Sequence, residues 1–236
     1  MTFTPYGIWR TRADELMKQV PISRIRHLMS LPGDALVRLY SYQGQQGWDQ
    51  AVERGYWTGT DYIHEDGEDG WGPAYEWMRE RMAERIPDFS GDLPMWGWTK
   101  RPSTKPKPKK YRGTGEDVRL TVLVPRSRIV FSDYDSWHSV LNRSLSCATE
   151  AEWDAHSELF PWNRHIPDGE ADKATQEEYQ RRYIASVVPS WNRCLAFEPT
   201  NDPKALEWGG STKYFRVQAC ADRFYWNEIV DVRRFD

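Results

Sequence analysis

The chain has 236 residues, enough for one large domain or one domain with an extension, and enough to bury a full core. Only 39% of the residues are hydrophobic, but 13 Trp and 12 Tyr carry much apolar area in few side chains, so the core is expected to be aromatic. A formal net charge of −3 excludes a protein that wraps a polyanion over its whole surface and leaves room for a local basic patch.

Residues 1 to 34 read as an N-terminal helical arm, because Asp14 to Val20 and Ile22 to Met29 give short amphipathic signals separated by Pro21, and Pro32-Gly33 makes a turn. Leu36 to Gln43 reads as a strand from its β-branched and aromatic content. Trp48, Ala51 and Val52 then repeat at helical spacing until Gly55 closes the helix, and Tyr56 to Thr58 is extended again. The acidic, glycine-rich run from Asp61 to Gly72 reads as a loop or lid and lacks the oxygen-ligand spacing of a calcium loop. Pro73 starts a helix whose apolar stripe is Ala74, Trp77, Met78, Met82 and Ile86. Pro94 to Thr99 is a short strand that puts Trp96 and Trp98 on one face.

Arg101 to Arg112 is rich in proline and lysine and reads as an exposed loop, in which Lys105, Lys107, Lys109 and Lys110 can meet phosphate. Leu120 to Val124 is a strand, with Pro125 in the turn and Ile129 to Phe131 as its hairpin partner. That hairpin leads into the stretch on which the chain is organised. A strand ends in the acidic turn Asp133 to Asp135 and passes into a helix bearing Trp137, His138 and Asn142. Strand-to-helix junctions gather backbone donors and polar side chains, which makes this the candidate pocket.

From Thr149 the chain turns polar and helical, with Thr149 and Glu152 spaced as a capping box, and 149–190 reads as a helical insertion. Tyr214 to Ala219 and Ile229 to Val232 close the chain as strands. The expected organisation is thus the arm of residues 1–34 and a single α+β domain over 35–236, with a bent or split, mostly antiparallel sheet and packed helices. Cys147, Cys194 and Cys220 form no Cys-x-x-Cys pair, which points to a reducing compartment and no zinc site. No leader pattern and no apolar run of about 18 residues is present, so the expectation is a cytoplasmic protein.

Tyr40-Ser-Tyr-Gln43, Ala74-Tyr-Glu-Trp-Met78, Pro94-Met-Trp-Gly-Trp98, the block from Ser132 to Asn142, Ser190-Trp191 and Val217-Gln-Ala219 stand in an order that resembles a bacterial family, domain-of-unknown-function family 3841. The resemblance covers about residue 36 to the C terminus, and the label implies no activity. A weaker resemblance is to the split-sheet fold of ADP-ribosyltransferases, including a DNA-modifying branch. It implies transfer from NAD, bound in a cleft between two small sheets and cleaved through an oxocarbenium-like state that a glutamate stabilises. On that resemblance Ser41, Tyr42 and Gln43 line the nicotinamide end, Tyr75 or Trp77 stacks beneath it, and Gln218 lies in the closing strand. Cys220 stands where the DNA-modifying branch places glutamate, which leaves Glu207 and Glu228 as substitutes.

The residues support more than one chemistry. In a transferase acting on a protein or nucleic acid, Asp133 or Asp135 orients His138, which deprotonates an acceptor, since imidazole suits proton transfer near neutral pH. In the plainer alternative Asp133 caps the helix and His138 is hydrogen-bonded in the core. A second class is a non-catalytic nucleic-acid or peptide binding module, in which an aromatic sheet holds a base or peptide and the lysine loop meets phosphate. A third, metal-dependent hydrolysis through Asp133, Asp135 and His138, lacks further ligands at metal spacing, so no metal is expected. Phosphate loops of the Walker or dinucleotide type and a Gly-x-Ser-x-Gly elbow are absent, which excludes kinase, dehydrogenase and serine-hydrolase readings.

Overall fold

Alternation of side chains over Leu36–Gln43 and Val118–Pro125 gives each segment one apolar face, and burying those faces together is what organises the sheet. The computed structural model describes residues 19–43, 45–59, 71–100, 118–160, 173–208 and 210–234. Along the chain come β1 (Val20–Pro21), α1 (Ile22–Ser30), β2 (Leu36–Gln43), α2 (Gln45–Arg54), β3 (Tyr56–Thr58) and α3 (Gly72–Ala83). Then follow β4 (Met95–Trp98), β5 (Val118–Pro125), β6 (Val130–Asp133), α4 (Tyr134–Leu141), α5 (Glu150–Leu159) and α6 (Lys173–Val187). The chain continues through a 3-10 helix, Val188–Leu195, to α7 (Pro203–Glu207), β7 (Tyr214–Phe215), β8 (Val217–Ala221), β9 (Arg223–Tyr225) and β10 (Ile229–Arg234). Among these residues no helix is long and apolar enough to cross a membrane.

The fold is α+β, with antiparallel sheets and packed helices. Six strands form one ladder in the order β10-β5-β2-β4-β8-β6, and two-stranded sheets pair β1 with β7 and β3 with β9. Among the described residues the sheet expected to be bent or split is one six-stranded ladder with two separate two-stranded sheets, without the paired small sheets that the ADP-ribosyltransferase resemblance implies. The Ile129 to Phe131 segment is also not the hairpin partner of β5. β6 pairs with β8, whereas β5 lies between β2 and β10. The reason is local: Pro125 ends β5, a 3-10 turn over Arg126–Arg128 redirects the chain, and the Arg126 guanidinium fixes that turn by donating to the carbonyls of Leu28 and Ile129.

Each face of the sheet has its own core. On one, Val37, Leu39, Leu120, Val122 and Ala219 pack with Ile25 and Leu28 of α1 and with Trp57 and Phe224. On the other, Val130 and Cys220 lie under Met78 and Met82 of α3, Trp137 and Val140 of α4, and Trp191. The stripe read on α3 is the buried one, and each fully buried large apolar side chain contributes about 1.5–3 kcal/mol. Gly97 of β4 lets the sheet close tightly, because a Cβ there would lie 3.0 Å from Leu39 Cβ. At the outer edge of the ladder β10 carries exposed Val230, Asp231, Val232, Arg233 and Arg234.

A part-buried ion network ties the end of the chain to this frame. Arg128 donates to Asp222 Oδ1 at 3.0 Å, to Glu228 Oε1 at 2.5 Å and to the Arg223 carbonyl at 2.8 Å, while Glu228 Oε2 accepts from the Tyr225 N–H at 2.9 Å. Glu228 is thus occupied in holding the turn before β10. Asp222, with a side chain only 4% exposed, depends on that cation. Removing one partner of a buried pair leaves a charge without compensation and costs about 3–5 kcal/mol. Arg128→Met is expected to lower the unfolding free energy by about that amount in urea denaturation. A loss no larger than that of an exposed ion pair would show that the network is not a structural tie.

Candidate functional site

Register places the candidate site on the second face of the sheet. Ladder partners share a face, and one row of partners crosses all six strands: Asp231 opposite Thr121, Thr121 opposite Tyr40, Tyr40 opposite Trp98, Trp98 opposite Gln218, and Gln218 opposite Ser132. Two positions from Thr121 on the same face stands Arg119, and two from Tyr40 stands Arg38. A register shift between Ile229 and Asp231 sets Val230 out of the ladder and brings Asp231 onto this face. Arg38, Tyr40, Arg119, Thr121, Val230 and Asp231 then line a pocket of about 310 Å³.

Aromatic rings continue the row toward α4. Trp98 lies 5.1 Å from the Tyr134 ring, and Tyr134 lies 4.5 Å from that of His138. Trp96, on the same face, contacts Trp137 at 5.0 Å and Tyr75 at 6.3 Å. Polar atoms among these residues are buried without hydrogen-bond partners: Gln218 Nε2, Ser132 Oγ, Trp96 Nε1, Arg119 Nε and Asp133 Oδ1. Buried polar groups are almost always paired, so their gathering on and beside one sheet face marks it as unusual. Arg119 is the extreme case, since it is 2% exposed, and among the described residues its polar contact is a single 3.6 Å approach of Nη2 to Asp231 Oδ2.

The residues expected to form the site are brought together only in part. Strand alternation separates Ser41 and Gln43 from Tyr42. Ser41 shares a face with Leu39 and donates to the Trp96 carbonyl at 2.6 Å, and the Gln43 amide donates to Ser41 Oγ at 2.6 Å. These two reinforce the β2–β4 seam, where Tyr40 opposite Trp98 is the ladder pair. Tyr75 joins the Trp96 and Trp137 cluster, but Trp77 is buried edge-on against Trp191 in the core. Glu207 is exposed at the end of α7, and Asn142 is the exposed C-cap of α4. Gln218 and Trp137 do sit on the second face.

At the strand-to-helix junction Asp133 is the N-cap of α4, and its Oδ2 accepts from the Ser136 hydroxyl at 2.7 Å and from the Ser136 N–H at 3.4 Å. Asp135 pairs with Arg216 at 2.9 Å. His138 is exposed, with Nδ1 2.8 Å from the Tyr134 carbonyl. The plainer alternative holds for the Asp133 cap, whereas His138 is hydrogen-bonded at the surface and not in the core. Burial pushes the Asp133 carboxyl up to about 6, with the Asp135 charge adding to the rise and the Ser136 hydrogen bonds opposing it. Burial also raises the thiols of Cys194 and Cys220.

Sequence reading missed Arg38, Tyr40, Trp98, Arg119, Thr121 and Ser132 as a group. The signal was available in the alternation of Leu36 to Gln43, which sets Arg38, Tyr40 and Tyr42 on one side and Val37, Leu39, Ser41 and Gln43 on the other. Lys105, Lys107, Lys109 and Lys110 lie outside the described residues. Among the described residues no group of three or more His, Cys, Asp and Glu side chains is placed to hold a metal.

A family model described as Domain of unknown function (DUF3841) matches residues 38–217, from within β2 to the first residue of β8. The chain belongs to this family. Comparisons with curated proteins and with solved structures give no match. For this DUF3841 chain the terms ADP-ribosyltransferase-like, transferase and NAD are corrected, because the family shown is one of unknown function and its description carries none of them. The match contains β4, β5, β6 and α4, and hence most of the second face, but not β10.

The raised carboxyl of Asp133 has a definite consequence for stability. A folded-state value near 6, above the ordinary 3.8, means that folding favours the protonated form. The stability it adds is complete below about pH 4 and is lost as pH rises through 6. Asp133→Asn keeps a capping oxygen and removes the charge. It is expected to match wild type near pH 4 and to exceed it at pH 7 by up to about 3 kcal/mol in urea unfolding, with the slope between pH 4 and 6 flattened. Equal pH profiles for the two proteins would refute this account of the junction.

Proposed function

We propose that this chain is a non-catalytic binding module for single-stranded nucleic acid, with the second face of the six-stranded sheet as its platform. The observation that carries this reading is the cross-strand row, in which Trp98 stands opposite Tyr40, and Tyr40 lines a pocket with two arginines, Arg38 and Arg119, on the same face. Every base has an aromatic face, so ring platforms hold bases with little regard to sequence, and guanidinium groups beside them meet the backbone. Tyr40 and Trp98 are half-buried, which fixes their orientation while leaving ring surface to a partner. The polar side chains of the junction fit this reading better than acid–base work, because Asp133 caps α4 and Asp135 is ion-paired with Arg216. Lys105, Lys107, Lys109 and Lys110 lie in sequence between β4 and β5, two strands of the platform.

Fluorescence anisotropy with labelled, mixed-sequence single-stranded oligonucleotides tests the proposal. Wild type is expected to bind saturably, with affinity falling as salt rises. Trp98→Ala and Tyr40→Ala are each expected to weaken binding by about 1–3 kcal/mol, the value of one base–ring stack. Replacing the four lysines by glutamine should reduce the salt slope and leave the stacking loss unchanged. Absence of saturable binding, or saturable binding of unstructured peptides in its place, overturns the reading.

A further inference from the structure

We infer that the pocket formed by Arg38, Tyr40, Arg119, Thr121, Val230 and Asp231 is a phosphate subsite. This rests on the nucleic-acid reading for the source of the phosphate, but the pocket's chemistry stands on its own observations. At about 310 Å³ it is at the small end of ligand pockets, which run from roughly 300 to 1,000 Å³. It suits one charged group and its immediate attachment.

Arg119 is the group that demands a ligand. A guanidinium carries five donors in a rigid fork and is always charged. This one is 2% exposed, its Nε is buried without a hydrogen-bond partner, and its counter-ion lies 3.6 Å away on a residue whose side chain is 57% exposed. Arg128, in the 3-10 turn after β5, shows how a part-buried arginine is ordinarily satisfied, with two carboxylates and a carbonyl at 2.5 to 3.0 Å. Arg119 has no such set. A tetrahedral anion with several acceptor oxygens supplies what the fork lacks, and bidentate Arg–phosphate pairing is the geometry that uses it.

The other walls suit a phosphate more than a carboxylate. Arg38, exposed two residues from Tyr40, brings a second cation to the mouth, and the Thr121 hydroxyl supplies a further hydrogen-bonding group beside Arg119. Two arginines and a hydroxyl around one centre match an anion with more than two oxygens. Asp231 limits affinity rather than creating it. Its Oδ2 lies 3.6 Å from Arg119 and accepts from Thr121 at 3.5 Å, so it holds both side chains loosely and repels an entering anion. The β10 bulge at Val230 is what places that carboxylate at the wall, where it offsets the Arg119 charge and orients the side chain until the ligand arrives.

The test is isothermal titration of the full chain with inorganic phosphate, and with a mixed-sequence single-stranded DNA bearing either a 5′-hydroxyl or a 5′-phosphate. Phosphate is expected to bind and to compete with the oligonucleotide. Arg119→Met should weaken phosphate binding about ten- to hundredfold, the size of a lost charge-assisted pair. Asp231→Asn should tighten it. If Arg119→Met does not fold, Arg119→Lys, which keeps the charge and loses the fork, and Arg38→Gln carry the same measurement. A tighter 5′-phosphate form assigns the pocket to a strand terminus, and equal binding of the two forms assigns it to the backbone. Phosphate binding lost in the variants without any oligonucleotide binding supports the subsite and removes the nucleic-acid reading. Oligonucleotide binding that is unchanged in the Arg119 and Arg38 variants overturns the subsite alone, and no binding of either ligand overturns both.

Discussion

The constraint on which this structure depends is the register of β2. It is bonded on both sides, to β5 along its whole length and to β4 at Tyr40, so its alternation sets which residues of three strands share a face. A slip by one residue would exchange Leu39 for Tyr40 and invert both cores. Two features resist such a slip. Gly97 lets β4 approach Leu39 where an added Cβ would press on the leucine at 3.0 Å, and the Ser41 hydroxyl bonds the Trp96 carbonyl. The aromatic and polar row across the sheet follows from that same register.

Two arginines show what the fold does with charge. Arg128 meets Asp222, Glu228 and a backbone carbonyl, and its guanidinium lies 4.6 Å from the Tyr225 ring centroid, so its desolvation is offset within the fold. Arg119 is more deeply buried and far less satisfied. The first joins β10 to the body of the protein. The second sits where β10, β5 and β2 face a pocket, and an arginine kept there in spite of its cost is more readily understood as a binding group than as a tie.

Much of the secondary structure was legible in the sequence because its signals are local. Pro73 and the stripe from Ala74 to Ile86 specify α3, Gly55 with φ +84° ends the α2 turn, and Thr149 caps α5 by accepting from the Glu152 N–H. Strand pairing was not legible, since which strand lies beside which depends on contacts far apart in the chain. Ile129 to Phe131 reads as a hairpin partner of the strand just before it, yet pairs with residues some ninety positions later. The site suffered from the same limit. Tyr40, Trp98, Gln218 and Ser132 meet only through three separate ladders, so no spacing in the sequence could gather them, while Ser41, Tyr42 and Gln43 are adjacent in sequence and divided by alternation. The junction at Asp133 was the exception, because a cap and its helix are neighbours.

The two ends of the six-stranded ladder are unlike. β6 is buried throughout, whereas β10 exposes almost every side chain, with Asp231, Arg233 and Arg234 around Val230 and Val232. An open strand of that length is a template on which another chain could add its own backbone hydrogen bonds. Mixed charge along the strand and the bulge at Val230 make such docking costly, as an incoming strand would have to bury ions and follow an irregular spacing. The outer strand is therefore a poor template for extending the sheet at that edge.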